Sequence, residues 1–353
     1  MKSLYEKINL GGIELRNRFV RSGTHEGLSP DGSITEDVLS LYRNFAREDV
    51  GLIITSGIEV TEDKVFDNSF RLNNDECIKD MKNLVDIIHS EGGKVMAQLF
   101  HGSSFIFLEA DYVPLAPSAV KDRFTQIVPK EMTQLEIKEI IKRFADAAYR
   151  SKKAGFDGVQ VQASAGFLIN KFFSPYYNQR QDEYGGDVTR RSRIAVEIRK
   201  AIADKCGNDF PVFIKMSMDD LMKEDVKGLE FSDGKELAKI LSDSGYNAIE
   251  TIAGVMGETM VSGNYNGGEP FFKEKIVELA SEVKVPVIAN GGIRTEKAAN
   301  ELISNTNVDG VSFARPFIAD ADLVKRFKNG HYTKCTTCFQ CNGPNGVRCI
   351  KNK

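Results

Sequence analysis

From Phe19 to Ala314, short apolar runs alternate with longer amphipathic, charged segments. A strand buried on both faces needs an unbroken apolar run, and a helix laid over a sheet needs one apolar stripe. The alternation therefore specifies repeated βα units and disfavours a β-sandwich or a helical bundle. Eight runs have the length and composition of strands: Phe19–Gly23, Gly51–Thr55, Lys94–Leu99, Gly158–Gln162, Val212–Ser217, Ala248–Ile252, Pro286–Ala289 and Gly310–Ala314. Helical periodicity fills the gaps between them. In "MTQLEIKEIIKRFADAAYRSKKAG", Thr133 with Glu136 forms a capping box and Gly155 a C-terminal stop. The pattern predicts an α/β fold of the (β/α)₈ TIM-barrel type. A doubly wound sheet would carry a G-x-G-x-x-G turn after an early strand, and no such turn stands in that context.

The 353 residues accommodate one large barrel or two ordinary domains. Helical periodicity stops near Asn329, so the expected organisation is a barrel over residues 1–328 and a cysteine-rich tail over 329–353. Two segments read as excursions from the repeat, Phe100 to Lys130 and the charged stretch Leu221 to Glu230. A formal charge of -3 gives no general pull toward nucleic acid or an acidic membrane. The opening "MKSLYEKINLGG" lacks a signal-peptide core and no later run reaches membrane-spanning length, which predicts a cytoplasmic protein. Cys77 and Cys206 stand alone, whereas Cys335, Cys338, Cys341 and Cys349 crowd the tail. In a reducing compartment such a cluster points to a metal or redox site before disulfides.

Chemistry in a barrel is expected at the C-terminal ends of the strands. Strand seven, "VPVIANGGIRT", ends on Gly291 and Gly292, whose amides would stand open in front of a helix capped by Thr295. Strand eight ends with the small Ala314 and with Arg315, a bidentate phosphate clamp. The pair predicts a phosphate site. Lys215 interrupts the apolar strand five, and a buried ammonium needs a partner. An anionic ring edge, a phosphate or an acidic residue of the core would each serve, and a Schiff-base lysine of an aldolase is a further reading. Gln98 and His101 end strand three, and Gly23, Thr24 and His25 end strand one, placing two of the four histidines at strand ends. The amide of Gln98 can read a donor and an acceptor on a planar ring.

With these residues in view, the chain resembles the Old Yellow Enzyme family of FMN-dependent NAD(P)H:flavin oxidoreductases. The stretches that carry it are "LRNRFVRSGTHEG", "QLFHG", "FADAAYRSKKAGFDGV", "FLINKFFSPYYNQRQDEYGGDVTRRSR", "VPVIANGGIRT" and "FARPFIADADL", in the family's order and spacing. It is most similar to the branch holding bile-acid, dienoyl-CoA and amine-oxidising members. The resemblance implies FMN across the strand ends, reduced by NADH or NADPH. Gly23, Thr24 and His25 would line its reactive edge, Gly57 and Gln98 its ring, and Lys215 its N1–O2 side, while Gly291, Gly292, Ala314 and Arg315 would hold the phosphate. Asp182, Tyr184 and Arg191 would serve as scaffold.

One segment departs from the family. Relatives carry His-x-x-His or His-x-x-Asn followed by Gly-Tyr after strand four, to grip a substrate carbonyl and donate a proton. This chain has Gln162, Ala165 and Phe167 there. Gln162 can donate a hydrogen bond but cannot deliver a proton, and Phe167 has no phenol. His25, His101, Tyr112, Tyr265 or solvent would have to supply the acid. The resemblance also implies a small-molecule substrate, of the enone or enoate type or otherwise oxidised, a homo-oligomer, and a [4Fe-4S] cluster on Cys335, Cys338, Cys341 and Cys349, whose spacing is compressed relative to the family; structural zinc and unligated thiols are the alternatives. A second reading is a flavin electron carrier serving a redox protein partner, without ene-reductase activity of its own.

Overall fold

A computed structural model describes residues 2–61, 68–104, 113–223, 226–255, 269–338, 340–343 and 346–351. The barrel strands are β1 Phe19–Arg21, β2 Leu52–Glu59, β3 Val95–Phe100, β4 Gly158–Ala163, β5 Val212–Ser217, β6 Ala248–Ile252, β7 Val287–Asn290 and β8 Gly310–Phe313. Each pairs in parallel with the next, and β8 returns to β1 with Val311 opposite Phe19, closing the cylinder. The (β/α)₈ expectation is thus met strand by strand. The largest difference is β2, which runs on past Thr55 to Glu59 through a register shift between Ile54 and Gly57. Ser56 and Gly57 look like a strand end in the sequence, but a bulge absorbs them and the ladder resumes with Gly57 opposite Gln98.

Crossover helices cover the barrel, the longest being Gln134–Ala154. Its ends are fixed as its sequence demands: Thr133 and Glu136 exchange the capping-box hydrogen bonds, and Gly155 takes φ 93°, which a residue with a Cβ resists. Between helices and barrel lies the main core, while a second apolar cluster fills the lower barrel with Val20, Leu52, Ile54, Met96, Phe213, Ala248 and Ile288. A hairpin of Ile8–Leu10 and Ile13–Leu15 packs into that lower cluster. The N-terminal mouth is therefore plugged, and access is left to the opposite end of the strands.

The tail folds back on the barrel. Asp320, buried after β8, accepts from Thr333 Oγ1 and from the Lys334 amide, both at 2.7 Å. The short ladder of Asn342–Gly343 with Gly346–Val347 then reaches the loop after β1, where the Val347 amide donates to the Glu26 carbonyl at 2.7 Å. Among the described residues, no helix is long and apolar enough to cross a membrane.

Candidate active site

Above the apolar plug the barrel interior turns polar. Glu250 on β6 is its hub, with no solvent exposure. One carboxylate oxygen, Oε1, accepts from Ser22 Oγ at 2.6 Å, Ser312 Oγ at 2.8 Å and Asn290 Nδ2 at 3.1 Å. The other, Oε2, accepts from Gln160 Nε2 at 2.9 Å, and Gln160 Oε1 accepts from Gln98 Nε2 at 2.7 Å. Lys215 lies 3.3 Å from Glu250 and donates to Ser22 Oγ at 2.6 Å. Burial alone would raise the Glu250 pKa, but the Lys215 ammonium and the hydrogen bonds outweigh it and hold the carboxyl below the ordinary glutamate range. Of the partners left open for Lys215 by the sequence, the one seen is an acidic core residue.

This polar layer was missed by sequence reasoning, apart from Gln98 and Lys215. A signal for its hub was available: Glu250 interrupts the apolar strand "AIETI" just as Lys215 interrupts "VFIKMS", and opposite charges in two buried strands call for each other.

Over the layer lies a cavity of ≈ 140 Å³ lined by Gly23, His25, Gly57, Ser69, Gln98, Phe100, Gln162 and Phe167. Gly23, His25, Gly57, Gln98 and Gln162 were expected at one site and are brought together here. Two glycines are dictated by neighbours, because a Cβ on Gly23 would stand 2.4 Å from Gln98 Nε2 and one on Gly57 would stand 2.8 Å from the Phe100 ring. Among the described residues of that lining His25 is the one titratable side chain, with Nδ1 3.3 Å from Ser69 Oγ. His101 is placed differently: it is 1% exposed, outside the lining, and its Nδ1 accepts from the Ser103 amide at 3.0 Å. Thr24 also stands off the lining, donating to the Ser22 carbonyl at 3.1 Å. Tyr112 and Tyr265 lie outside the described residues.

The mouth after β4 keeps a demanding backbone. Ala165 has φ 60° and Gly166 φ 93°, held by the Ala165 amide on Ser217 Oγ at 3.1 Å and the Gly166 amide on Asn170 Oδ1 at 2.7 Å. Gln162 Oε1 accepts from Ser164 Oγ at 2.9 Å. Phe167, at the tyrosine position, stands edge-on to Phe100 with centroids 5.4 Å apart. The following short helix is fixed by buried Lys171, whose Nζ lies 2.6 Å from Asp122. A larger cavity of ≈ 540 Å³, open to solvent, is lined by the loop after β5, including Leu221, Met222 and Lys227, and none of the expected site residues is among its described lining.

At β7 and β8, Gly291 and Gly292 take φ 121° and 67°, and Thr295 caps the next helix by accepting from the Ala298 amide. In front of that helix the Glu269 carboxylate accepts from the Arg294 and Thr295 amides, which are not the Gly291 and Gly292 amides singled out in the sequence. A carboxylate is what the N-terminus of a helix ordinarily attracts. Ala314 leads into Arg315, whose pKa is lowered by burial and pulled back up by Cys335, Cys341 and Cys338 nearby. These thiols lie within electrostatic reach of one another. Burial raises the pKa of Cys335 and Cys341, whereas exposed Cys338 is lowered by a backbone hydrogen bond at Gln340. No three His, Cys, Asp or Glu side chains among the described residues converge closely enough to hold a metal ion.

Residues 3–334 match the family model described as the NADH:flavin oxidoreductase / NADH oxidase family. A metal reductase of Desulforamulus reducens is 31% identical over 343 residues, covering 97% of this chain and 51% of that protein. An NADH oxidase of Thermoanaerobacter brockii is 32% identical over 359 residues, covering 99% of this chain and 54% of that protein. The chain thus spans about half the length of these curated relatives. Among solved structures, morphinone reductase in complex with tetrahydroNAD superposes with TM-score 0.78 at 25% identity, covering 94% of this chain and 92% of that one. A barrel closed by eight parallel strands, a cavity at their C-terminal ends and a family match along nearly the whole sequence agree: the chain belongs to the NADH:flavin oxidoreductase / NADH oxidase family of Old Yellow Enzyme-like proteins.

Proposed function

We propose that this chain is an FMN-dependent oxidoreductase that takes hydride from NADH or NADPH and passes it to a small unsaturated or otherwise oxidised substrate in the same cavity. The observation that carries the reading is the convergence of Gly23, His25, Gly57, Gln98 and Gln162 on one cavity at the open mouth of the barrel. The residues present suit the cofactor. Gln98 offers an amide to a planar ring, Lys215 a cation beneath it, and the Gly291–Gly292 turn with Arg315 a setting for a phosphate. FMN, when bound, would supply hydride acceptance and donation. Gln162 would donate to a substrate carbonyl, Phe100 and Phe167 would exclude water, and His25 would hold the proton that the missing tyrosine cannot give.

A second reading is favoured by the tail. Cys335, Cys338 and Cys341 lie within electrostatic reach of Arg315, and Cys349 within reach of Cys341; drawn closer together, four soft thiolates would suit an iron–sulfur cluster, with structural zinc as the alternative. On that reading the chain relays electrons to a partner protein, and the metal reductase relative is a precedent for an acceptor other than an alkene. The visible spectrum of protein prepared without oxygen, before and after NADH or NADPH, separates the two. A flavin spectrum bleached by nicotinamide and restored by an enone supports the oxidoreductase. Reduction by dithionite alone, with no turnover of an enone, supports the carrier, and failure to bind FMN refutes both.

A further inference from the structure

The two oxygens of Glu250 have unlike surroundings. Ser22, Asn290 and Ser312 donate to Oε1, whereas Oε2 takes the hydrogen bond from Gln160. An ionised carboxylate can only accept, so Gln160 must turn its NH₂ group to Oε2. Its carbonyl oxygen then faces Gln98, and Gln98 must turn its own NH₂ group to Gln160. That leaves Gln98 Oε1 for the cavity, which Gln98 lines. Amide orientation is ordinarily ambiguous, but here one buried charge dictates it through two successive hydrogen bonds.

We propose that Glu250 and Gln160 are positioning residues that lock Gln98 with its carbonyl toward the cavity, making that wall an acceptor for an N–H on the ring bound there. The inference rests on the FMN reading, in which that group is the imide N–H of the flavin. A flipped Gln98 would set donor against donor and lose the hydrogen bond altogether.

The test is a double-variant cycle on the full chain, stripped of flavin and titrated with FMN by flavin fluorescence. Gln160→Met cuts the link but leaves Glu250 its Ser22, Asn290, Ser312 and Lys215 partners, so the charge balance of the barrel is kept. Gln98→Met and Gln160→Met are each expected to weaken binding about tenfold, with the double variant no weaker than Gln98→Met alone. The visible bands of bound flavin should shift alike in both single variants. Additive losses, or a Gln160→Met variant that binds as the parent does, would overturn the proposal.

Glu250→Gln should also weaken binding, while Gln160→Glu combined with Glu250→Gln moves the carboxylate to β4, keeps an acceptor facing Gln98 and restores affinity to within about threefold. A folded swap variant that does not recover overturns the proposal as well. If Glu250→Gln does not fold because Lys215 loses its partner, the cycle at Gln98 and Gln160 still decides. Failure of the unaltered chain to bind FMN refutes the cofactor reading itself, which an additive cycle would leave standing.

Discussion

Three side chains at the open end of the barrel make measurable commitments. Ala165 sits at φ 60°, a left-handed conformation that Gly, Asn and His adopt more readily than Ala. The histidine or asparagine that the family resemblance puts here would suit that backbone, so the side chain has changed while the turn has stayed. Ala165→Gly should therefore stabilise the fold by about 0.5–1 kcal/mol, read as a higher urea midpoint at unchanged slope. If His25 supplies the proton as proposed, His25→Gln should slow the oxidative half-reaction with 2-cyclohexenone about 100-fold, and slow reduction by NADH much less, in stopped-flow traces. Asp220 is wholly buried, and burial pushes its carboxyl up to about 6 against the hydrogen bonds it receives, with Asp219 adding to the rise. Because the folded value lies above the unfolded one, near 3.9, its contribution is fully present below about pH 4 and lost as pH rises through about 6. Asp220→Asn should remove this contribution, lowering the unfolding free energy at pH 4 relative to that at pH 7 by about 2 kcal/mol compared with the parent, measured by urea titration at both.

Elements were more legible than the partnerships among them. An apolar run buried on both faces announces a strand whatever its neighbours, so all eight barrel strands could be read, and Thr133 with Gly155 fixed both ends of the longest helix. Register is not written in that way. Glu250 and Gln160 stand ninety positions apart, and only the parallel ladders through β5 set them side by side. The same limit holds for His101, whose strand-end position does not announce the contact of its ring with the Ser103 amide. One anchor at this scale is testable. Asp320→Ala removes the acceptor for Thr333 and Lys334, so limited proteolysis should cut the tail about tenfold faster while the barrel stays resistant.

For the molecule as a whole, the tail joins the end of the chain to its beginning. If its thiols hold a cluster, anaerobic protein should contain iron and acid-labile sulfide, and Cys338→Ser with Cys349→Ser should remove both while FMN content holds. The backbone bond from Val347 to Glu26 has a consequence for synthesis. A ribosome delivers this chain from the N-terminus, so the His25 loop is made early and waits for a contact made late. Strand one likewise waits for strand eight before the cylinder can close. In the growing chain the cavity is thus among the last parts to acquire its walls, and a nascent protein halted before residue 310 should expose the loop around His25 to protease even though its first helices have formed.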